Sequence, residues 1–412
     1  MSKKLLVIGY VWPEPSTTAA GCRMQQLLHS FSTFGYHITF ASTASKTAYS
    51  LDLEQIGIKE VAIELNHSSF DAFVSKFSPD VVVFDRFMVE EQFGWRVTEF
   101  APNAIRVLNT EDLHSLRKAR EEAHKKNTPF NVEDWKNHSM TMREMASIYR
   151  CDVTLIISTY EMELLQQNVK VPSNLLLHLP FMLDDSKSSE QRSTSFESRS
   201  GFVSIGNGKH APNVDAIKVL KHDIWPQIRR ELPSEEIHIY GAYLPQQVKE
   251  MHHPKEGFYI KGWAENIDDI LKNAKVVLAP LQFGAGIKGK LLDAMRMGTP
   301  SVTTSIGAEG MHGQLDWNGA ISDNWPEFSK AAVELYQNKE LWETAQDQGF
   351  KLTQKLYKKT ILESQLKNEL EQLQNNLALH RGQNFIGKLL HHQTMAGTKY
   401  MSKWIEEKNK KK

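Results

Sequence analysis

Short apolar runs rich in valine and isoleucine alternate with longer amphipathic stretches from the first residues onward. This alternation is typical of a parallel β-sheet covered by helices, because strands that are buried on both faces are continuously apolar. After 319 the pattern becomes helical, apart from a short predicted strand at 320–321. The other predicted strands are 5–9, 38–42, 61–65, 81–85, 105–109, 153–158 and 175–179 in the first half, and 202–205, 237–240, 258–260, 276–281 and 301–304 in the second.

A polar, serine-rich stretch at 184–200 separates the two alternating patterns, and we interpret it as a linker. The length of 412 residues also favours two domains, each with its own core. We therefore expect a Rossmann-like domain at 1–183, a second one at 201–345, and a C-terminal helical segment at 346–412 that packs across both. The predicted fold class is α/β, with two doubly wound domains facing a cleft and C-terminal helices crossing back.

Composition narrows the range of functions. Lysine and arginine number 49, as do aspartate and glutamate, so there is no electrostatic reason to expect nucleic acid as a partner. Cys22 and Cys151 show no metal-ligand spacing and are too few for a disulfide framework, which fits a reducing compartment. No apolar segment has the length needed to cross a bilayer. We expect a soluble, cytoplasmic protein that uses neither a metal nor a cofactor.

The end of the chain is basic. Residues 399–412 contain six lysines and two glutamates. This balance is compatible with peripheral contact to anionic lipid at the inner face of a membrane, although solvated helix ends are often equally basic. Both interpretations stay open.

The strongest chemical signal is the stretch FGAGIKGK at 283–290, which lies between a predicted strand and a predicted helix. A glycine loop that opens a helix lets backbone N–H groups approach a phosphate, and Lys288 and Lys290 add positive charge. The stretch also fits the G-x-x-x-x-G-K pattern of NTP-binding loops, but Leu291 stands where a hydroxyl residue should hold magnesium. It therefore predicts diphosphate binding, and an NTP-binding module or hydrolase and an ordinary glycine turn remain as alternatives.

Other candidates surround this loop. Lys209 precedes a predicted helix, where a cation can reach a phosphate, and Asp293 lies where a carboxylate can bind ribose hydroxyls or simply favour the helix start. Glycines also end four strands of the second half, so we expect them to line one nucleotide-sized crevice. They are Gly206, Gly241, Gly262 and Gly284.

In the first half, the polar stretch NTEDLHSLRKARE follows a predicted strand. His114 and Arg117 lie three residues apart and can share a helix face toward the cleft. Asp112 and Arg117 are the candidates for the acceptor side, and His114 is a candidate catalytic residue with Lys209 and Lys290, although one histidine among 16 is most often a surface or capping residue. Asp85 and Arg86, at the end of another strand, resemble the acidic strand end of nucleotide hydrolases only weakly.

The second half resembles the donor-binding domain of glycosyltransferase family 4, the group 1 glycosyltransferases of GT-B fold. The resemblance is strong over 201–335 and looser in the first half, where it includes the helix that begins near Gly21. The motifs that carry it are FVSIGNGKHAPNVDAIKVL, EIHIYGA, YIKGWAENIDDILKNAKVVLAP, LQFGAGIKGKLLDAMRMGTPSVTTSIGAEG, LIISTYEMELL and LPFM.

The resemblance implies a retaining, metal-independent transfer from a nucleotide-diphosphate sugar, with a UDP- or GDP-sugar favoured. Lys209 and Lys290 would neutralise the leaving diphosphate, and His114 would lie near the donor sugar. Asp293 would hold the ribose. Gly262 and Trp263 would lie beside the base, and Gly21 would bring backbone to the diphosphate from across the cleft. The loop residues Phe283, Gly284, Ala285, Gly286, Ile287 and Lys288 would complete the donor site.

One position departs from the family pattern. Ala285 stands where many members have the first glutamate of the Glu-x7-Glu signature, and Asp293 replaces the second, so the sugar contacts are uncertain. The implied acceptor is a glycan, a lipid-linked molecule or a protein. The alternatives are a nucleotide-sugar epimerase of the same fold and a catalytically silent sugar-nucleotide sensor.

Overall fold

The computed structural model describes residues 3–184 and 195–410. Its first half is built on a parallel sheet of seven strands. They are β1 (Lys3–Gly9), β2 (Tyr36–Ser42), β3 (Lys59–Ala62), β4 (Val81–Asp85), β5 (Ile105–Asn109), β6 (Val153–Ile156) and β7 (Leu176–His178). The spatial order is β3-β2-β1-β4-β5-β6-β7, so the order reverses between β1 and β4. This reversal makes the sheet doubly wound, as predicted.

Helices cover both faces of this sheet. Because β4 is buried along its whole length, its VVVFD sequence is apolar up to the final aspartate. The first helix is capped by Thr18, whose side chain accepts a hydrogen bond from Gly21 N. The helices are α1 (Ala19–Thr33), α2 (Ser69–Phe77), α3 (Phe87–Phe100), α4 (His114–Lys125), α5 (Val132–Asn137), α6 (Ser139–Arg150) and α7 (Thr159–Glu163).

The second half repeats the design on a parallel sheet of six strands. They are β8 (Ser200–Ile205), β9 (Ile237–Tyr240), β10 (Phe258–Gly262), β11 (Ala274–Ala279), β12 (Ser301–Thr303) and β13 (Gly319–Ile321). Their order is β10-β9-β8-β11-β12-β13, with the reversal between β8 and β11. The helices are α8 (Ala211–Val219), α9 (Trp225–Glu231), α10 (Gln246–Lys249), α11 (Ile267–Asn273), α12 (Gly289–Arg296), α13 (Ser305–Ala308), α14 (Trp325–Gln337) and α15 (Lys339–Leu356).

Two long helices, α16 (Lys359–Gln383) and α17 (Phe385–Lys410), return the chain to the first half. Leucines of α16 at helical spacing pack into the core of the first sheet: Leu362, Leu366, Leu370 and Leu373. The predicted start of the C-terminal segment at 346 falls inside α15, because the apolar pattern of that helix continues past it to Leu352 in the second core. Within the described part of the chain, no helix has the length and apolarity that crossing a bilayer requires.

The predicted linker at 184–200 lies largely outside the described residues, which resume at Ser195. Its last residues belong structurally to the second half. The Arg199 side chain donates to Thr299 Oγ1 at 2.6 Å and to Met297 O at 2.8 Å, and Ser200 begins β8.

Candidate active site

A cavity of about 600 Å³ lies between the two sheets, at the carboxyl ends of their strands. Such edges are where open α/β sheets bind ligands. One wall comes from the ends of β4 and β5 and the start of α1, and the opposite wall from the ends of β8 and β9 and the loop before α12. The loop predicted to bind a diphosphate therefore faces polar residues of the first half.

Two ammonium groups dominate the second wall. Lys288 Nζ donates to Gly286 O at 2.8 Å, and Lys290 Nζ donates to Asn213 Oδ1 at 2.6 Å. Within residues 3–184 and 195–410, no carboxylate lies within 4.0 Å of either Nζ. Burial lowers the pKa of Lys288 to about 8, and burial together with Lys288 lowers the pKa of Lys290 to about 7. Two lysines in a cavity wall with no carboxylate in direct contact form a site suited to an anion.

The glycine loop is held in place by the first half of the chain. Glu161 Oε1 accepts hydrogen bonds from Gly286 N at 2.8 Å and from Leu113 N at 3.1 Å. Arg120 Nη1 donates to Gly284 O at 2.9 Å. A Cβ atom at Gly286, where φ is 66°, would lie 2.8 Å from Asp112 Cβ, so only glycine allows this approach. The shape of the loop thus depends on both halves.

Asp112, His114 and Arg117 form one cluster on the first wall. His114 Nδ1 lies 3.0 Å from Asp112 Oδ1, and Arg117 Nη1 donates to Asp112 Oδ2. Burial acts to raise the pKa of Asp112, but Arg117 and His114 outweigh it and hold that pKa well below its usual value. Glu144 Oε1 accepts from His114 N at 2.9 Å and fixes the start of α4. Asp112 is therefore ionised and already paired.

Two residues with positive φ lie beside this cluster. Arg86 (φ 76°) follows β4, and Glu111 (φ 63°) follows β5. Glu111 Oε1 accepts from Asn109 Nδ2 at 2.6 Å, and burial and the nearby Asp85 raise the pKa of Glu111 to about 8. Non-glycine residues with such strained backbone persist where the surroundings enforce it, often at functional sites.

At the far end of the cavity lie Asp293 and Trp263. About 37% of the Asp293 side chain is exposed, and Arg296 Nη2, which also pairs with Asp268, lies 3.5 Å from its Oδ1. Burial raises the pKa of Asp293 to about 6. Trp263 is 41% exposed, and its Nε1 donates to Ser16 O of the opposite wall at 3.3 Å. The cavity thus offers a partly exposed carboxylate and an exposed aromatic ring.

Comparison with known protein families identifies the second half. The profile of the family described as "Glycosyl transferases group 1" matches residues 199–338. These residues are a group 1 glycosyltransferase domain, and the protein is a glycosyltransferase. A comparison with curated protein sequences found no significant match.

Solved structures resemble this chain in fold at low sequence identity. Sucrose-phosphate synthase from Thermosynechococcus elongatus has a TM-score of 0.68 at 13% identity, covering 90% of this chain and 99% of its own. A glycosyltransferase from Rickettsia africae has a TM-score of 0.66 at 11% identity, covering 91% and 99%. HepE from Anabaena, in complex with UDP and glucose, has a TM-score of 0.64 at 13% identity, covering 90% and 100%. The GT-B fold class predicted from the sequence is confirmed.

Most of the residues predicted for the site of this glycosyltransferase do line the cavity. They are Asp112, His114, Arg117, Gly206, Gly241, Trp263, Phe283, Gly284, Ala285, Ile287, Lys288, Lys290 and Asp293.

Four predicted site residues do not lie in the cavity wall. Gly21 faces the backbone of Glu14, because a Cβ atom there would lie 2.4 Å from Glu14 O. Lys209 Nζ lies 3.6 Å from the centre of the Tyr243 ring instead of in the cavity. Gly262 ends β10 outside the wall, and Gly286 is turned toward Asp112.

The structure also adds residues that the sequence did not suggest for the transferase. Asn213 binds Lys290, and Glu161 holds the glycine loop. Arg296 and Asp268 set the surroundings of Asp293. Asn213 belongs to the motif GNGKHAPN, so the sequence could have indicated its place in the site. Nothing in the local sequence relates Glu161 to a loop 125 positions away.

Proposed function

We propose that the protein transfers a sugar from a nucleoside-diphosphate sugar, most readily a UDP- or GDP-sugar, to a glycan, lipid-linked or protein acceptor. The observation that carries this proposal is a pair of ammonium groups, the buried Lys288 and the half-buried Lys290, in the wall of a cavity between two α/β halves. The loop amides and the start of α12 at Gly289 add further positive potential at the same place. A diphosphate supplies the negative charge that this wall lacks.

The same two cations support a mechanism without a metal ion. As the glycosidic bond breaks, negative charge builds on the departing diphosphate, and fixed cations stabilise that state more than the ground state. Lys288 and Lys290 together offer the double positive charge that a divalent ion would otherwise provide. The departing phosphate oxygen then accepts the proton of the acceptor hydroxyl. Attack from the side of the leaving group gives retention at the anomeric carbon.

The remaining wall residues fit the other parts of the substrates. Asp293 is open to the cavity and is suited to accept hydrogen bonds from ribose hydroxyls, with Trp263 beside the base. His114 Nδ1 faces Asp112, which leaves Nε2 for a substrate near the donor sugar. Arg117 and Asp112 complete the acceptor side of the cavity.

The donor is tested by thermal shift with UDP-, GDP-, ADP- and dTDP-sugars, each with and without EDTA. HepE has been solved with UDP and glucose and also with UDP-glucose, which makes a UDP-sugar the first to try. A ligand that binds only the native state raises the melting temperature by mass action. We expect stabilisation by one donor that EDTA does not reduce. Stabilisation by none of them, or only with added magnesium, would contradict the proposal.

We also propose that α17 rests on an anionic membrane at the cytoplasmic face. Among the described side chains of this helix, six large apolar ones on one side are exposed, whereas the opposite side packs on α3 and α6, where Ser402 accepts a hydrogen bond from Arg96. Exposed lysines lie along the same helix. An apolar face with flanking lysines favours the interface of an anionic bilayer. The exposed apolar residues are Phe385, Ile386, Leu389, Tyr400, Met401 and Trp404.

Vesicle sedimentation tests the membrane contact. The full chain is expected to bind vesicles containing phosphatidylglycerol more strongly than neutral vesicles, and serine at Tyr400, Met401 and Trp404 together should reduce that binding by about tenfold or more. Ile361→Ser, which changes an exposed apolar residue on α16, is the control and should bind like the unchanged chain. Equal binding by the triple variant and the unchanged chain would refute the role of α17.

A further inference from the structure

Arg86 holds a special position in the first wall of the cavity. It directly follows β4, at the reversal point of the first sheet, and its backbone N donates to Asn109 O at 2.7 Å. Its φ of 76° and ψ of 154° are unfavourable for a residue with a side chain. The strained backbone directs a long cationic side chain to the cavity wall.

The Arg86 guanidinium has no hydrogen-bond or ion-pair partner in the described parts of the chain. Its side chain forms no hydrogen bond or ion pair there, and its Nε is buried without an acceptor. Neighbouring arginines differ: Arg117 is bound to Asp112, and Arg120 is bound to Glu309 at 2.7 Å. A guanidinium has five N–H donors in a rigid fork, and leaving the buried Nε–H without an acceptor is unfavourable unless a ligand satisfies it.

The surrounding groups leave this cation available. The guanidinium carbon lies 5.0 Å from the centre of the Tyr10 ring, so the ring covers one face of the fork and leaves its edges free. Asp112 is occupied by Arg117 and His114. Glu111 accepts a hydrogen bond from Asn109, and Asp85 Oδ2 accepts one from Tyr10 N at 3.2 Å. Against the effect of burial, Asp85, Glu111 and Asp112 lie near enough to raise the pKa of Arg86 and keep it charged, but within residues 3–184 and 195–410 none of them forms an ion pair or hydrogen bond with the guanidinium. The cavity therefore has a guanidinium on its first wall whose N–H donors are free to bind an anion.

The donor diphosphate already has its cations on the opposite wall, in Lys288 and Lys290. Arg86 belongs to the first half, where the acceptor would lie if the proposed function holds. We propose that the acceptor carries a phosphate or carboxylate group and that the guanidinium fork of Arg86 binds it. Two parallel N–H donors match either group in a bidentate arrangement, which an ammonium cannot reproduce.

Calorimetric titration of the full chain, saturated with UDP or whichever nucleotide the donor panel selects, tests this. The probes are glycerol 3-phosphate, lactate and glycerol, which present a phosphate, a carboxylate and no charge. We expect one of the two anions to bind and glycerol not to. Arg86→Gln should weaken the binding of that anion by about tenfold or more, with partial recovery in Arg86→Lys. Arg143→Gln, which changes a surface arginine paired with Glu91, is the control and should bind like the unchanged chain.

Several results would overturn the assignment. One is that all three probes bind with equal affinity. A second is that Arg86→Gln and the unchanged chain bind the anion with equal affinity. Another is a loss of nucleotide affinity in Arg86→Gln as large as that in Lys290→Met, which would place Arg86 at the donor diphosphate. The titration is repeated without nucleotide. If no nucleotide binds at all, the donor assignment fails, yet anion binding that Arg86→Gln abolishes would still support the Arg86 site.

Discussion

Lys290→Met is expected to weaken the binding of nucleoside diphosphates while leaving the fold intact. Methionine keeps an unbranched, largely apolar side chain of similar length and removes the ammonium. The main polar contact that is lost within the protein is the hydrogen bond from Lys290 Nζ to Asn213 Oδ1 at 2.6 Å. Because Lys290 forms no ion pair with the described residues, the change leaves no carboxylate without its partner.

The size of the effect follows from the charge that the ammonium contributes. A hydrogen bond to a charged group is worth about 1.5–3 kcal/mol, so the Kd for UDP should rise by roughly 10- to 150-fold when Lys290 is protonated. Burial lowers the pKa of Lys290 to about 7, with a further contribution from Lys288. Above that pH, binding must first protonate the amine, which costs about 1.4 kcal/mol per pH unit. The affinity of the unchanged chain should therefore fall as pH rises from 7 to 9.

Stability should respond to pH in the opposite direction. The pKa of Lys290 is lowered by burial in the folded protein, from 10.5 to about 7, so between these values the unfolded chain holds more protons. Stability contributed by this group then rises with pH across that range. Below pH 7 the folded protein carries a buried charge, so Lys290→Met should be at least as stable as the unchanged chain. Part of this cost remains between pH 7 and 9, so in that range too the variant is not expected to unfold more readily than the unchanged chain.

Isothermal titration calorimetry with UDP and GDP between pH 7 and 9 measures this effect, since phosphate groups themselves titrate near pH 6. Lys261→Met, which removes an exposed lysine of β10, is the matched control and should bind as the unchanged chain does. Lys290→Met should show a flatter pH dependence, with the remaining slope due to Lys288, whose pKa burial lowers to about 8. Equal affinities for both nucleotides in Lys290→Met and the unchanged chain would refute the reasoning.

Two further changes probe a contact that holds the glycine loop and a contact that holds α16 on the first half. Glu161→Ala should lower stability by roughly 1–3 kcal/mol for each buried N–H that it leaves unpaired, including that of Gly286, and should weaken UDP binding. Glu161→Gln is the control, because it retains an acceptor oxygen. Equal urea midpoints for the two variants would contradict the role of Glu161. Arg381→Ala should cost roughly 3 kcal/mol in urea unfolding, because it leaves the buried carboxylate of Asp152 without the guanidinium that donates to both of its oxygens. Arg381→Lys should lose less, and an unchanged midpoint for Arg381→Ala would rule this support out.

The strands and the glycine loop were predictable because their signals are local. β4 is buried along its whole length, and its first four residues, VVVF, are apolar accordingly; the buried Asp85 ends the strand. Lys288 and Lys290 lie within the loop that they serve, so their spacing alone brings both to one wall. The fold class followed from the repetition of such segments.

Side-chain direction was not predictable in the same way. Lys209 lies three residues after Gly206, close enough along the chain for the predicted contact with a phosphate, yet its ammonium packs on the Tyr243 ring. The offset along the chain fixes where the backbone lies but not which of several rotamers a four-carbon side chain adopts. An aromatic face nearby, contributed by the segment after β9, decided the outcome.

The two walls of the cavity differ in how far apart their residues lie in the chain, and this explains why only one wall was recognised in full. The second wall takes its charge from one loop, whereas Arg86 and Glu111 follow different strands and are brought together by the neighbouring positions of β4 and β5. Their positive φ values have no sequence signature, since glycine or asparagine would be expected there. A residue that keeps such a backbone despite its cost indicates a constraint other than folding. On this wall, that constraint is the placement of an unpaired guanidinium and of a carboxyl group, Glu111, whose pKa burial raises to about 8.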